Sequence, residues 1–395
     1  MIDLIKNNEK APRRLGLYIH IPFCRSKCLY CDFCSFVGKR EAEREEYVCA
    51  LLREIEARGT REYTVDTVYF GGGPPSLLSG EQIGRILSSV RENFRVADDV
   101  EITIECNPTP IKRDVEGAVP YSECDYFSKL KKLGVNRLSL GVQSAVDGEL
   151  RLIGRRHTFD EAKNTFFDAR KAGFDNISVD LMFGIPSQTL ESLEYSLDKF
   201  ILLGAEHISI YSLQLEEGTP LFRMRDRYTL ADDDTVADMY ISINEKMRAA
   251  GYSHYEISNF AKEGRESRHN SKYWRLEEFL GLGVASHSDF AGKRIENTEK
   301  LEKYLLGNCV ENENIISCGE RELEFIMLGL RMSNGISKIE YFERFGTDFD
   351  KKYGKRIGEL KDFFTMTGNG DRIALNERGF AVSNAILSQI LDFDY

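Results

Sequence analysis

Residues 19–34 read IHIPFCRSKCLYCDFC, a short alternating apolar run followed directly by four cysteines within eleven residues. Cys24, Cys28 and Cys31 form C-x-x-x-C-x-x-C. That spacing lets one short loop wrap a compact iron–sulfur cluster and give a thiolate to each of three irons. The fourth iron is then left open to bind and activate a small molecule. A four-cysteine zinc site completed by Cys34 is the alternative, although such sites usually join two C-x-x-C knuckles from separate turns.

Composition sets the surroundings of this loop. The chain has 395 residues, 42% apolar and 30% charged, with a formal charge of −11. The length suits a large α/β unit with a smaller partner of roughly 100 residues. The charge gives no basic footprint for a phosphate backbone, so nucleic acid is not expected as a partner. No run approaches the roughly 18 apolar residues that a membrane span requires. The N-terminal MIDLIKNNEKAPRRLG has no apolar core followed by a small-residue cleavage site, so the expected location is the cytoplasm. In that reducing compartment the nine cysteines read as a ligand cluster rather than as disulfides. Cys49, Cys106, Cys124, Cys309 and Cys318 share no ligand spacing and read as structural.

Working outward from the cysteines, β-branched runs alternate with helical periods. The strand candidates are LGLYIHI from Leu15, DTVYFGG from Asp66, EITIECN from Glu101, VNRLSLGV from Val135, NISVDLMFGI from Asn176 and HISIYSLQL from His207. Helical stretches lie between them, among them one after Arg40 and one after Thr189, which is read as a cap supported by a following Glu. Such alternation predicts a parallel sheet with crossover helices. Six β/α units fall short of the eight of a closed barrel, so the expected shape is an open, partial (β/α)6 barrel. Chemistry in barrels sits where strands end, and the cysteine loop, Gly71-Gly72-Gly73, Glu105, Gln143 and Asp180 all fall at or near those positions. We assign residues 1–250 to the barrel, 251–300 to an irregular linker, and 301–395 to a small helix-plus-wing domain in which Asn376 to Gly379 turns a hairpin.

The blocks IHIPFCRSKCLYCDF, FGGGPPSL, IECNP, LGVQS and VDLMFGIP, in this order and spacing, resemble the radical S-adenosylmethionine (SAM) superfamily. Within it they are most similar to the coproporphyrinogen dehydrogenase-like branch and its heme-chaperone group. The resemblance implies a 4Fe-4S cluster on Cys24, Cys28 and Cys31, whose open iron chelates SAM and can release a 5′-deoxyadenosyl radical. It implies further that Tyr18 and Tyr30 flank cluster and SAM, that Gly72 and Gly73 approach the methionine end, and that Glu105, Gln143, Arg155 and Asp180 complete the SAM pocket. Two departures stand out. Pro74 occupies the position where the family commonly has Thr, and it lacks both an N–H and a hydroxyl. Phe33 occupies the position of the last cysteine of the porphyrinogen-decarboxylating branch, with Cys34 one residue later, so Cys34 is not expected to be a cluster ligand.

RHNSKYW carries the H-N-x-x-Y-W motif of the heme-chaperone group, which implies heme binding by His269, Asn270, Tyr273 and Trp274. A histidine can supply an axial iron ligand while aromatic neighbours shield a porphyrin face. His287 is a lesser candidate, and His20, His157, His207 and His254 read as structural, with His157 a possible lining of the barrel mouth. The implied function is a heme chaperone that passes heme to an acceptor, for which the resemblance points to a membrane-bound respiratory protein. The alternative is oxygen-independent coproporphyrinogen III dehydrogenase. Against it stand the fourth-cysteine position and the 23 residues that precede Cys24, fewer than in that branch. Radical modification of RNA or protein is a third reading, disfavoured by the acidic balance.

Overall fold

The computed structural model describes residues 13–108 and 123–391, so most of the N-terminal segment read for a leader lies outside the described residues. The strands β1 (Arg13–Ile21), β2 (Tyr63–Gly72), β3 (Arg95–Cys106), β4 (Arg137–Gln143), β5 (Ile177–Phe183) and β6 (His207–Ser212) lie side by side in chain order. All neighbours are parallel, as the six strand candidates require. The helices α1 (Glu41–Ala57), α2 (Gly80–Asn93), α3 (Glu123–Lys132), α4 (Phe159–Lys171), α5 (Leu190–Leu203) and α6 (Asp233–Ala249) each follow one strand. Capping boxes start α2 at Ser79 and Gln82 and α4 at Thr158 and Glu161. Thr189 caps α5 as expected, but its reciprocal partner is Ser192 rather than a glutamate, since only the third residue after the cap can reach back.

Period-two alternation decides which face of the sheet is which. Leu15, Leu17, Ile19 and Ile21 on β1 pack into one apolar cluster with Ile102 and Ile104 on β3, Leu138 and Leu140 on β4, and Ile177 and Val179 on β5. Helix residues such as Leu51, Ile83, Phe166 and Leu197 complete that layer. Each such side chain contributes roughly 1.5–3 kcal/mol by leaving water. The intervening residues face the barrel interior and are mostly polar: Tyr18, Thr67, Tyr69, Glu105, Arg137, Ser139, Asp180 and Ser209.

The segment 251–300 is not a linker. It supplies β7 (Ser253–Glu256) and β8 (Asn259–Ala261), which extend the sheet from β6, and then α7 (Arg268–Trp274). The strand β9 (Phe279–Leu282) pairs in parallel with β1, followed outward by β10 (His287–Phe290), β11 (Lys293–Asn297) and β12 (Val310–Ile315). Strands of three to five residues are too short for alternation to show in the sequence. The bare edges of β1 and β6 nevertheless require cover. Among the described residues the result is an open sheet of twelve strands, with seven parallel strands, β9 and β1 to β6, at its centre.

A second apolar cluster, including Phe325, Ile326, Tyr341, Tyr353, Ile373 and Leu387, gathers residues after Cys318. Its three-stranded sheet comprises Ile336–Ser337, Phe364–Thr367 and Arg372–Leu375. The hairpin there turns at Gly368–Gly370, where Gly368, Asn369 and Gly370 all take positive φ. Asn376 to Gly379 is not a turn. Asn376 caps the helix Glu377–Ala381 by accepting the Gly379 N–H at 3.0 Å, the use to which Asn is best suited before a helix.

Candidate functional site

The cysteine loop leaves the C-terminal end of β1 and is tied down through its backbone. Leu29 donates to the Ile153 carbonyl at 3.0 Å, and Leu221 donates to the Leu29 carbonyl at 2.9 Å. Phe23–Cys24 and Phe36–Val37 form a two-residue parallel bridge at its base. Cys24, Cys28, Cys31 and Cys34 are half-buried free thiols. Burial pushes the Cys24 and Cys31 thiols up, and the neighbouring Cys28 adds to this. Among the described residues no three His, Cys, Asp or Glu side chains converge on a single-ion site. A cluster that takes one thiolate on each of three irons does not require such convergence.

Cys24, Cys28 and Cys31 line one cavity of about 650 Å³ together with Tyr30, Gly72, Gly73, Glu105, Gln143, Arg155 and Asp180. Tyr18 stands behind this lining. A Cβ on Gly71 would lie 2.9 Å from its ring, and its hydroxyl hydrogen-bonds His20 Nδ1 at 3.0 Å. Cys34 does not line the cavity: its thiol faces the Glu299 carbonyl at 3.9 Å. Phe33 and Pro74 do line it. His157 does not, since it is buried with Nε2 on the Val142 carbonyl at 3.0 Å. Of the cysteines read as structural, Cys318 is exposed.

The donor set and cradle fit the cluster and cofactor that the sequence implies. Gly72 has φ of +112°, and a Cβ there would lie 2.6 Å from the His20 ring; one on Gly73 would strike the Phe23 carbonyl. Only glycine lets the backbone come this close. Arg155 donates to Asn107 Oδ1 at 2.8 Å and to the Tyr30 hydroxyl at 3.0 Å, joining the cysteine loop to the end of β3. Gln143 takes φ of +77° at a register shift between β4 and β5, and accepts from the Tyr211 hydroxyl at 2.8 Å. A bulge of this kind re-aims a side chain at a strand end.

Two carboxyls share the interior. Glu105 accepts from the Tyr69 hydroxyl at 2.7 Å, and Asp180 accepts from Ser139 Oγ at 3.2 Å. Burial raises Glu105 to about 7 despite the Tyr69 bond, and raises Asp180 to about 6 despite bonds from Ser139 and Ser209. Both are therefore able to hold or give up a proton near neutrality.

The RHNSKYW helix lies where its motif alone does not predict. The α7 helix packs across the lower halves of β1 to β3, and the Glu101 carboxylate accepts the backbone N–H of Arg268 at 3.2 Å and of His269 at 3.1 Å. His269 is 1% exposed, with Nδ1 on Thr67 Oγ1 and Nε2 on the Tyr273 hydroxyl, both at 2.8 Å. Its ring stacks on Tyr69 at 5.1 Å, and burial lowers it to about 3, so it is neutral. Both nitrogens are engaged, and His269 offers no free ligand atom in this conformation. Tyr273 packs edge-on against Phe279, and Trp274 lies under Arg331. Of the four motif residues named for heme, only Asn270 lines the cavity. His287 is exposed on β10.

Inward residues that the sequence reading passed over include Tyr69, Arg137, Ser139, Ser209 and Tyr211. The available signal was the alternation itself, since Arg137-x-Ser139 and His207-x-Ser209-x-Tyr211 interleave polar residues with apolar ones.

Residues 18–200 match the family model of the radical SAM superfamily, and residues 319–382 match that of the HemN C-terminal domain. The chain is 34% identical to heme chaperone HemW of Lactococcus lactis, over 95% of this chain and 96% of that one. It is 34% identical to heme chaperone HemW of Bacillus subtilis, over 95% and 98%. The solved structure of coproporphyrinogen III oxidase HemN from Escherichia coli superposes with a TM-score of 0.81 at 22% identity, covering 98% of this chain and 92% of that one, a likeness of fold.

Proposed function

The chain belongs to the heme chaperone HemW family within the radical SAM superfamily, and from that membership we propose that it binds heme and hands it to an acceptor protein. Identity of 34% sustained over 95% of the chain is the observation that carries this reading. The acceptor we propose is a membrane-bound respiratory heme protein. No helix among the described residues is itself long and apolar enough to cross a membrane.

In this reading Cys24, Cys28 and Cys31 would hold the 4Fe-4S cluster, and Tyr30, Gly72, Gly73, Glu105, Gln143, Arg155 and Asp180 would hold SAM, with Tyr18 supporting them from behind. When bound, cluster and SAM supply one-electron chemistry at a sulfonium centre. Arg155 orients the loop by bridging Asn107 and Tyr30. Glu105 accepts from the Tyr69 hydroxyl and, raised by burial to about 7, takes up or releases a proton near neutrality. Tyr69 stacks between Tyr18 and His269, and the three rings give the lower barrel an aromatic wall.

For heme we propose His269 as the axial ligand, reached only when α7 shifts enough to part Nε2 from Tyr273. Asn270, already at the cavity, and Trp274 would then border the porphyrin. The test is an anaerobic heme titration of the cluster-loaded protein followed by its Soret band, then transfer to heme-depleted respiratory membranes. Saturable binding and transfer are expected. Stepwise loss of two carboxyl groups from coproporphyrinogen III, on addition of SAM and reductant, would instead make the protein a dehydrogenase.

A further inference from the structure

Arg137, the first residue of β4, is the largest of the fully buried side chains at 1% exposure. It lines the 650 Å³ cavity, yet its Nε has no hydrogen-bond partner and, among the described residues, the guanidinium makes no ion pair. A buried charge without a hydrogen-bonded partner is strongly unfavourable, so proteins retain one where something else completes it.

The groups around it do not neutralise it directly. Ser139 is committed to Asp180, Tyr69 to Glu105, and His207 to Ser178 and Tyr255. Glu105 and Asp180 sense Arg137 at a distance, and both are held by burial toward the neutral form. Carboxyls so raised repel an incoming anion less than ordinary, fully ionised ones would. The planar fork of a guanidinium matches a carboxylate through two parallel hydrogen bonds.

We propose that Arg137 forms a carboxylate-binding subsite on the floor of the barrel cavity, receiving a carboxylate of the ligand held above it. Resting on the proposed function, that carboxylate comes either from a heme propionate or from the aminoacyl group of SAM. The two sources share one chemistry and separate by experiment.

Wild-type, R137Q and R137K proteins, loaded with cluster and checked for folding by circular dichroism, are titrated with heme and with heme dimethyl ester by Soret absorbance. SAM binding is measured on the same samples by equilibrium dialysis. If the propionate occupies the subsite, R137Q weakens heme binding about tenfold or more, the ester binds all three proteins alike, and R137K keeps part of the preference. If the aminoacyl group occupies it, R137Q weakens SAM by a similar factor and leaves heme unchanged. Unchanged affinity for both ligands in a folded R137Q overturns the subsite, as does collapse of the fold in both variants, which would make Arg137 structural. Failure of wild-type protein to bind heme sinks the proposed function alone and leaves the SAM titration to decide the subsite.

Discussion

Single residues separate what a motif names from what a side chain can do. Cys24, Cys28 and Cys31 surround the cavity while Cys34 turns toward Glu299. Replacing any of the first three by Ala should abolish bound iron and sulfide and the cluster's visible absorbance, and Cys34→Ala should retain them. The motif singles out His269 for heme, but its burial and its two hydrogen bonds are tertiary facts that no spacing conveys. Tyr273→Phe removes one of those bonds and should cost about 1 kcal/mol in urea denaturation. Because it frees Nε2, it should also tighten heme binding in the Soret titration, whereas His269→Ala should weaken it. Weaker binding in Tyr273→Phe would point to the tyrosine oxygen as the ligand. Arg137 escaped notice because a lone arginine in an apolar run looks like a surface residue; only its inward register shows otherwise.

Elements were legible where they were long. The six parallel strands and their helices follow from alternation and capping, since runs of this length hold one period through an entire element. The short strands β7 to β11 were not, because pairing with β1, β6 and one another holds them, and three to five residues carry no period of their own. What fixes β9 and β11 against α1 is a buried carboxylate. Glu54 accepts from the Gly283 backbone N–H at 2.8 Å, Asn297 Nδ2 at 2.7 Å and the Tyr304 hydroxyl at 2.7 Å. Glu54→Ala leaves the Gly283 N–H and the Tyr304 hydroxyl unpaired and takes one of two acceptors from Asn297 Nδ2, and should destabilise by about 3–5 kcal/mol. Limited proteolysis should then cut first within 283–310. Equal cleavage of wild type and variant would show that the strands hold without this tether.

The whole molecule carries a stability that depends on pH. Burial raises Glu256 to about 7 from an ordinary 4.5, in the same direction as Glu105 and Asp180. Between about pH 4.5 and 7 Glu256 holds more of a proton in the folded protein than in the unfolded chain, so its contribution to ligand-free stability falls as pH rises through that window, while the buried histidines, His157, His254 and His269 among them, are lowered by burial and contribute in the opposite sense. Glu256→Gln should remove its share, about 3 kcal/mol at pH 8, so that the thermal melt at pH 8 rises relative to that at pH 5 when compared with wild type. An unchanged gap would place the pH dependence elsewhere. The arrangement of the sheet has a consequence for biosynthesis. Strand β1, from whose end the cysteine loop hangs, has β2 on one side and β9 on the other, and β9 is made only after all six β/α units. On the ribosome, β1 keeps one bare edge until Phe279–Leu282 emerge. The nascent chain thus completes the sheet beneath the three thiols only once these late residues have emerged.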